Sequence, residues 1–350
     1  MEKIYLDHAA TSPVHPEVAE VTYEMMKTHF GNASSIHGFG RDSRRILDQS
    51  RMVFAQSIGA KPNEVIITSG GTEGDNTAIM ETAISRKEEG MHLITTAIEH
   101  HAVLRPMEHL ESLGFEVTYL AVDETGRVNL EDVREALRPD TILVSIMYGN
   151  NEVGTLNDVA AIGELIHESE SKAYFHTDAV QAYGSEDIDV KRDHIDLLSV
   201  SAHKINGPKG VGFLYISDSI HLPSFMLGGE QEQKRRAGTE NIPGIAGFKK
   251  AVELMLAERE ERKQHHQKLR AYLKERLDES AIDYELNGSP DHHLTHVINV
   301  WIKGVCSEQL LMSLDLVGIA LSAGSACTAG NIDPSHVLGA MYGGRESTNQ

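Results

Sequence analysis

The 350 residues carry 32 Lys and Arg against 52 Asp and Glu, a formal net charge of −20, with 40% hydrophobic and 24% charged residues. A chain of this length has room for two domains, and its acidity argues against direct binding to nucleic acid. No stretch reaches the roughly 18 apolar residues of a membrane span, and the acidic start Met1-Glu2-Lys3-Ile4-Tyr5-Leu6-Asp7 is not a signal peptide, so a cytoplasmic location is expected.

From about residue 62 to 217, short β-rich runs alternate with helical stretches. The predicted strands are 64–68, 92–96, 116–120, 141–147, 173–177, 197–199 and 212–216. Runs such as Ile142-Leu143-Val144-Ser145-Ile146 are too continuous for a strand with one wet face, which predicts a mostly parallel α/β sheet covered on both sides. Helices fit between the strands, for example over 76–87 and 159–170. A long helix is expected over 245–278, and its charged stretch Glu258-Arg259-Glu260-Glu261-Arg262-Lys263 suits a solvated bridge. A second, smaller unit follows, with 296–302 as its best strand.

Two cysteines, Cys306 and Cys327, form no disulfide framework and match no zinc spacing. Cys327 stands in Leu321-Ser322-Ala323-Gly324-Ser325-Ala326-Cys327-Thr328-Ala329-Gly330, where small neighbours offer little to bury a thiol. That context suits a nucleophile, whereas Cys306 reads as a small buried hydrophobe.

Chemistry concentrates after the predicted strands. Ser199-Val200-Ser201-Ala202-His203-Lys204 ends an apolar strand in a lysine, and Gly207-Pro208-Lys209-Gly210 then turns the chain. A desolvated lysine amine can form an imine with an aldehyde cofactor, although an isolated lysine before a loop is more often a surface residue. Asp178 closes the strand in Tyr174-Phe175-His176-Thr177-Asp178, where it can face a pyridine nitrogen or simply cap a helix. Strand, turn and helix start in Ile67-Thr68-Ser69-Gly70-Gly71-Thr72-Glu73-Gly74-Asp75-Asn76 can cradle a phosphate; the pattern is neither a P-loop nor a dinucleotide fingerprint. His100, in Glu99-His100-His101-Ala102, can stack on a ring and move protons, though most of the 19 histidines must be structural or solvated. Asn150-Asn151-Glu152-Val153-Gly154 reads as a turn after a buried strand.

In this order the motifs resemble those of the NifS/IscS (class I) cysteine desulfurases, pyridoxal-phosphate enzymes of the class V aminotransferase-like fold type I. Tyr5-Leu6-Asp7-His8-Ala9-Ala10-Thr11, Gly31-Asn32-Ala33-Ser34-Ser35-Ile36-His37, Ser69 to Asn76 and Arg236-Ala237-Gly238-Thr239-Glu240-Asn241 each resemble a family segment. The resemblance implies a seven-stranded, mostly parallel sheet in a large domain over 15–257. A small α+β domain would comprise 1–14 and 258–350 and carry the cysteine loop. It implies pyridoxal 5′-phosphate on Lys204, with Asp178 at the pyridine nitrogen, Asn151 and Gln181 at ring substituents and His100 stacked above. Gly71, Thr72, Ser201 and His203 would hold the phosphate, and Thr239 would reach the phosphate of the neighbouring subunit in a homodimer. Cys327 would take sulfur from L-cysteine, leave L-alanine, and pass its persulfide to an acceptor protein for iron–sulfur assembly or tRNA thiolation. It could also hold a nascent iron–sulfur cluster transiently.

The family continues beyond Val337-Leu338-Gly339-Ala340-Met341-Tyr342 into an "RxSxG" strand whose arginine takes the substrate carboxylate, and then a final helical segment. Here Gly343-Gly344-Arg345-Glu346-Ser347-Thr348-Asn349-Gln350 follows, and Arg345 comes too early and lacks strand-like flanks. The resulting expectation is cofactor binding with weak or absent turnover. Other readings kept open are a silent scaffold, a selenocysteine lyase and an aminotransferase of the same fold.

Overall fold

The structure is a computed structural model that describes residues 3–324 and 335–343. After the short β1 (Ile4–Tyr5), the chain builds one large sheet from β2 (Val65–Thr68), β3 (His92–Thr96), β4 (Glu116–Leu120), β5 (Thr141–Ser145), β6 (Tyr174–Asp178), β7 (Leu197–Ser201) and β8 (Gly212–Ile216). The strand order is β2-β8-β7-β6-β5-β3-β4. Only β8 among these seven runs against its neighbours; the other six point the same way. Every residue of β5, β7 and β8 is buried, as strands covered by helices on both faces must be.

Several predicted segments shift at their ends, three of them next to the site. Helical structure begins at Gly71 and runs through to Arg86, so the Gly-rich stretch is the helix start and not only a turn. Its glycines lower helix propensity, yet the missing Cβ atoms let the first turn pack on the sheet: a Cβ on Gly74 would come within 2.8 Å of Ser199 Oγ. Strand β7 extends through Ser201, and β6 through Asp178, placing both site residues inside the sheet.

The long helix spans Ile242–Asp278, and all of its buried residues lie between Ile242 and Met255. Phe248 on that buried half stacks with Phe54 and Phe213 at centroid distances of 4.5 and 5.9 Å, tying the helix to the sheet. The second half carries ion pairs such as Arg262–Glu258, in keeping with a solvated helix.

Beyond it, β9 (Tyr284–Asn287) and β10 (Asn299–Ile302) form an antiparallel pair, and β11 (Ile319–Ala320) pairs in parallel with β1. The first strand of the chain is therefore held by a segment more than 300 residues downstream, Ile4 opposite Ile319. Cys306 differs from expectation: it is exposed. It sits at the N-cap of the helix Ser307–Leu316, none of whose residues is buried. Among the described residues no helix is long and apolar enough to cross a membrane.

Candidate functional site

Because six strands point the same way, the turns after β2, β3, β5, β6 and β7 all leave one edge of the sheet. Those turns carry Gly71, His100, Asn151, Gln181 and Lys204, and such an edge is where α/β sheets place their ligands.

Asp178 ends β6 beside Ser199 of β7, and its Oδ1 accepts the Val180 N–H at 2.9 Å. Burial raises its pKa, while the nearby His100 and Lys204 favour its ionised form. Lys204 lies in the 3-10 turn Ala202–Lys204 that follows β7. Its Nζ donates to the carbonyls of Ala9 and Ala10, the latter at 2.9 Å. Gln181 Nε2 donates to the same Ala9 carbonyl at 2.9 Å, and Gln181 Oε1 is 3.3 Å from His296 Nε2. The N-terminal segment thus lies across the strand ends, and His203 Nδ1 meets Thr11 Oγ1 at 3.1 Å. Burial, then the charges of Lys204 and Lys209, pull His203 down to about 4, so its ring is neutral near pH 7.

The turn after β2 closes the same edge. Gly70 has a φ of 149°, outside the range most side chains accept. A Cβ on Gly71 would lie 2.6 Å from Val180 Cγ2, so this turn packs directly on the one that follows Asp178. Thr72 is exposed on the first helical turn, where N–H groups have no intrahelical acceptor. Glu73 anchors the turn: it accepts the Ser69 N–H at 2.7 Å and a two-pronged pair from Arg236 at 2.8 and 3.1 Å. Through Arg236 the turn is joined to the exposed Thr239, which lines a cleft with Thr68, Ser69 and Gly210.

Of the two asparagines after β5, Asn150 is the scaffold. It is fully buried, donates to the Ile98 carbonyl at 3.0 Å and accepts the N–H groups of Glu152 and Val153. Asn151, half-buried, is the one presented by that turn. His100 caps the helix His101–Ser112, its Nδ1 accepting the Ala102 N–H at 3.1 Å. Cys327, expected as nucleophile and as transient metal ligand, lies outside the described residues; among those described, no cluster of three or more His, Cys, Asp or Glu side chains suits a metal ion.

A layer beneath the edge was not legible beforehand. His176 lies two residues before Asp178 and is fully buried, with Nδ1 at 2.8 Å from Ser145 Oγ and Nε2 at 3.1 Å from Ser199 Oγ. Burial pushes it down to about 3, so it is neutral beside Asp75 Oδ1 at 3.5 Å. Burial and the charge of Asp178 raise Asp75 well above the carboxylate range, and burial raises Glu99 to about 8. Glu99 therefore holds a proton near pH 7, and the upward shift favours the neutral form of Asp75, which lessens the like charge facing Asp178. The alternation of β6 puts His176 and Asp178 on one face, the one signal that pointed there.

Comparison with known proteins decides the family. The pattern of aminotransferase class-V matches residues 4–344. The chain belongs to the class-V aminotransferase family. Within this family it is 57% identical over 343 residues to the IscS 1 protein of Bacillus subtilis (strain 168), covering 98% of this chain and 90% of that relative. It is 48% identical over 335 residues to the cysteine desulfurase IscS of Methanosarcina thermophila, covering 96% and 82%. Among solved structures, a NifS-like protein superposes with a TM-score of 0.93 at 33% identity, covering 100% of this chain and 92% of that one. The class-V chain thus sits in the cysteine desulfurase branch and has the fold type I architecture implied by its motifs.

Proposed function

We propose that the chain is a pyridoxal 5′-phosphate-dependent cysteine desulfurase that converts L-cysteine to L-alanine and carries the sulfur as a persulfide on Cys327. What carries this reading is the meeting of Asp178 and Lys204 at adjacent strand ends, in a family member with cysteine desulfurase relatives. The donor set fits the cofactor. A buried carboxylate with one backbone donor suits a pyridine nitrogen, and a primary amine stands near it. A helix start without Cβ atoms at Gly70 and Gly71, next to Ser201 Oγ, suits a phosphate.

In this reading Lys204 Nζ holds the cofactor, and Gly71, Thr72, Ser201 and the neutral His203 bind its phosphate. Asn151 and Gln181 contact ring substituents, and His100 covers the ring. Once bound, the group supplies an aldehyde for the substrate amine and an electron sink. Lys204 Nζ would move protons at the substrate carbons, and Asp178 would direct its carboxylate toward the ring nitrogen. Cys327 Sγ attacks the substrate sulfur: an S–S bond forms, the Cβ–S bond breaks, and Cβ receives the electron pair and a proton. One cysteine and one thiol give one alanine and one persulfide, with no outside oxidant.

A homodimer with Thr239 reaching the partner's phosphate agrees with the exposed apolar side chains of Phe30, Ile36, Phe39 and Leu227. The charge of −20 favours a sulfur acceptor with a basic docking face, and a thiol that must stay reduced suits the cytoplasm.

The test is visible absorbance followed by turnover. Purified protein should bind added pyridoxal 5′-phosphate with an absorbance band that Lys204→Ala removes, and L-cysteine should yield alanine in wild type but not in Cys327→Ala. Absence of the band after cofactor addition, or alanine formation undiminished in Cys327→Ala, would overturn the reading.

A further inference from the structure

Glu152 follows Asn151 in the turn after β5, and the cofactor chemistry proposed above gives it no role. Its main chain is fixed from both sides. The N–H donates to Asn150 Oδ1 at 2.8 Å, and the carbonyl accepts from Asn299 Nδ2 at 3.2 Å. The side chain is 5% exposed, and its Oε1 has no hydrogen-bond partner among the described residues. Its Oε2 accepts the hydroxyl of Ser335 at 2.5 Å.

Ser335 is the first described residue after 325–334, the stretch that carries Cys327, and Gly324 is the last before it. Both meet Glu152. A Cβ built on Gly324 would lie 3.7 Å from Glu152 Oε2 and 3.7 Å from Ser335 Cβ. Further pins hold the two flanks: Ser322 Oγ donates to Asp7 Oδ1 at 2.7 Å, and His336 Nε2 donates to the Glu99 carbonyl at 2.9 Å. Ser335 also caps the helix His336–Tyr342, its Oγ accepting the Leu338 N–H at 3.1 Å. A single buried carboxyl on the turn that presents Asn151 therefore holds one flank of the segment bearing the thiol, with the other flank close by.

We infer that Glu152 is a positioning residue for sulfur transfer: through Ser335 it sets where the chain rejoins the cofactor domain after the segment that carries Cys327. The inference rests on the desulfurase reading and adds to it a device for delivering the thiol, separate from the groups that hold cofactor and substrate. A fixed carboxyl serves this better than a mobile surface group, because a shift of about 1 Å in a reacting atom costs on the order of 100-fold in rate.

The experiment is a single turnover of cofactor-loaded protein with L-cysteine, following the cofactor absorbance and the alanine formed. In Glu152→Leu the bound absorbance and the half-saturating cysteine concentration for its spectral change should stay as in wild type, while alanine forms about tenfold more slowly. Glu152→Gln, which keeps an acceptor oxygen for Ser335, should recover most of that rate. Ser335→Asp tests the contact from the other side. It preserves the helix cap but replaces the donor with a like charge, so it should show the same defect, and it decides the matter if Glu152→Leu does not fold.

Wild-type alanine formation in Glu152→Leu or Ser335→Asp would overturn the inference. So would a loss of cofactor absorbance or of cysteine response in parallel with the rate, since Glu152 would then shape the binding pocket itself. Cys327→Ala in the same assay separates the two levels: if it retains the wild-type rate, the desulfurase reading has failed, not merely the role of Glu152.

Discussion

Arg51 and Glu232 face each other in a buried two-pronged ion pair, Nη1 to Oε2 and Nη2 to Oε1 both at 2.7 Å. Arg51 also donates to the Val65 carbonyl, and Glu232 accepts the Ile67 N–H at 2.9 Å, so the pair clamps the turn before Thr239 onto β2. The clamp holds a costly backbone: Glu232, Gln233 and Lys234 have φ of 49°, 57° and 67°. Removing one partner leaves the other charge buried alone. Arg51→Met should therefore destabilise the protein by about 3–5 kcal/mol in urea unfolding. A loss below about 1 kcal/mol would show that the turn stands without the pair.

Asp178→Asn keeps the shape of the β6 end and removes its charge. Turnover should fall by about 100-fold or more, while the protein remains folded by circular dichroism. Steady-state alanine formation with saturating cofactor measures this, and activity near wild type would remove Asp178 from the site.

Glu99 gives a pH signature. Its carboxyl accepts from Thr96 Oγ1 and the Met147 N–H, but burial dominates and raises it to about 8. The folded state thus holds this proton more tightly than the unfolded chain, where the value is about 4.3. Its contribution is fully present below about pH 4 and declines as pH rises toward about 8. Glu99→Gln, which mimics the protonated acid, should flatten the fall in melting temperature between about pH 5 and about pH 9. An unchanged slope would mean that Glu99 is ionised in the fold.

Gly71→Ala probes the close packing of the two turns. The added Cβ would meet Val180 Cγ2 at 2.6 Å, so one turn must give way. Overpacking of this kind costs about 1–3 kcal/mol, and the retained fraction of pyridoxal 5′-phosphate after dialysis should drop with it. Full retention at wild-type stability would show that the turn adapts.

Much of this molecule could be read from the chain alone. The strands at 92–96 and 212–216 fall where predicted, because a strand buried on both faces announces itself in consecutive residues; the partly exposed edge strand at 116–120 also falls where predicted. Lys204, Asp178 and the Gly-rich segment were recognisable because each stands where an apolar run stops. The family motifs then joined them into one set.

Other features were decided only by tertiary structure. Lys204 and Gln181 share the carbonyl of Ala9, and a backbone carbonyl leaves no mark in a sequence. Cys306 is exposed at the start of a helix none of whose residues is buried, a fact of arrangement that a residue's polarity does not carry. Glu152 read as part of a turn, and its place between Gly324 and Ser335 appears only when segments some 180 residues apart are brought together. At Asp75, Glu99 and His176 burial favours the neutral form, because it removes the water that would stabilise their charges. Periodicity along the chain determines which segments form the sheet; desolvation and distant contacts, which arise only in the packed fold, determine what its side chains can do.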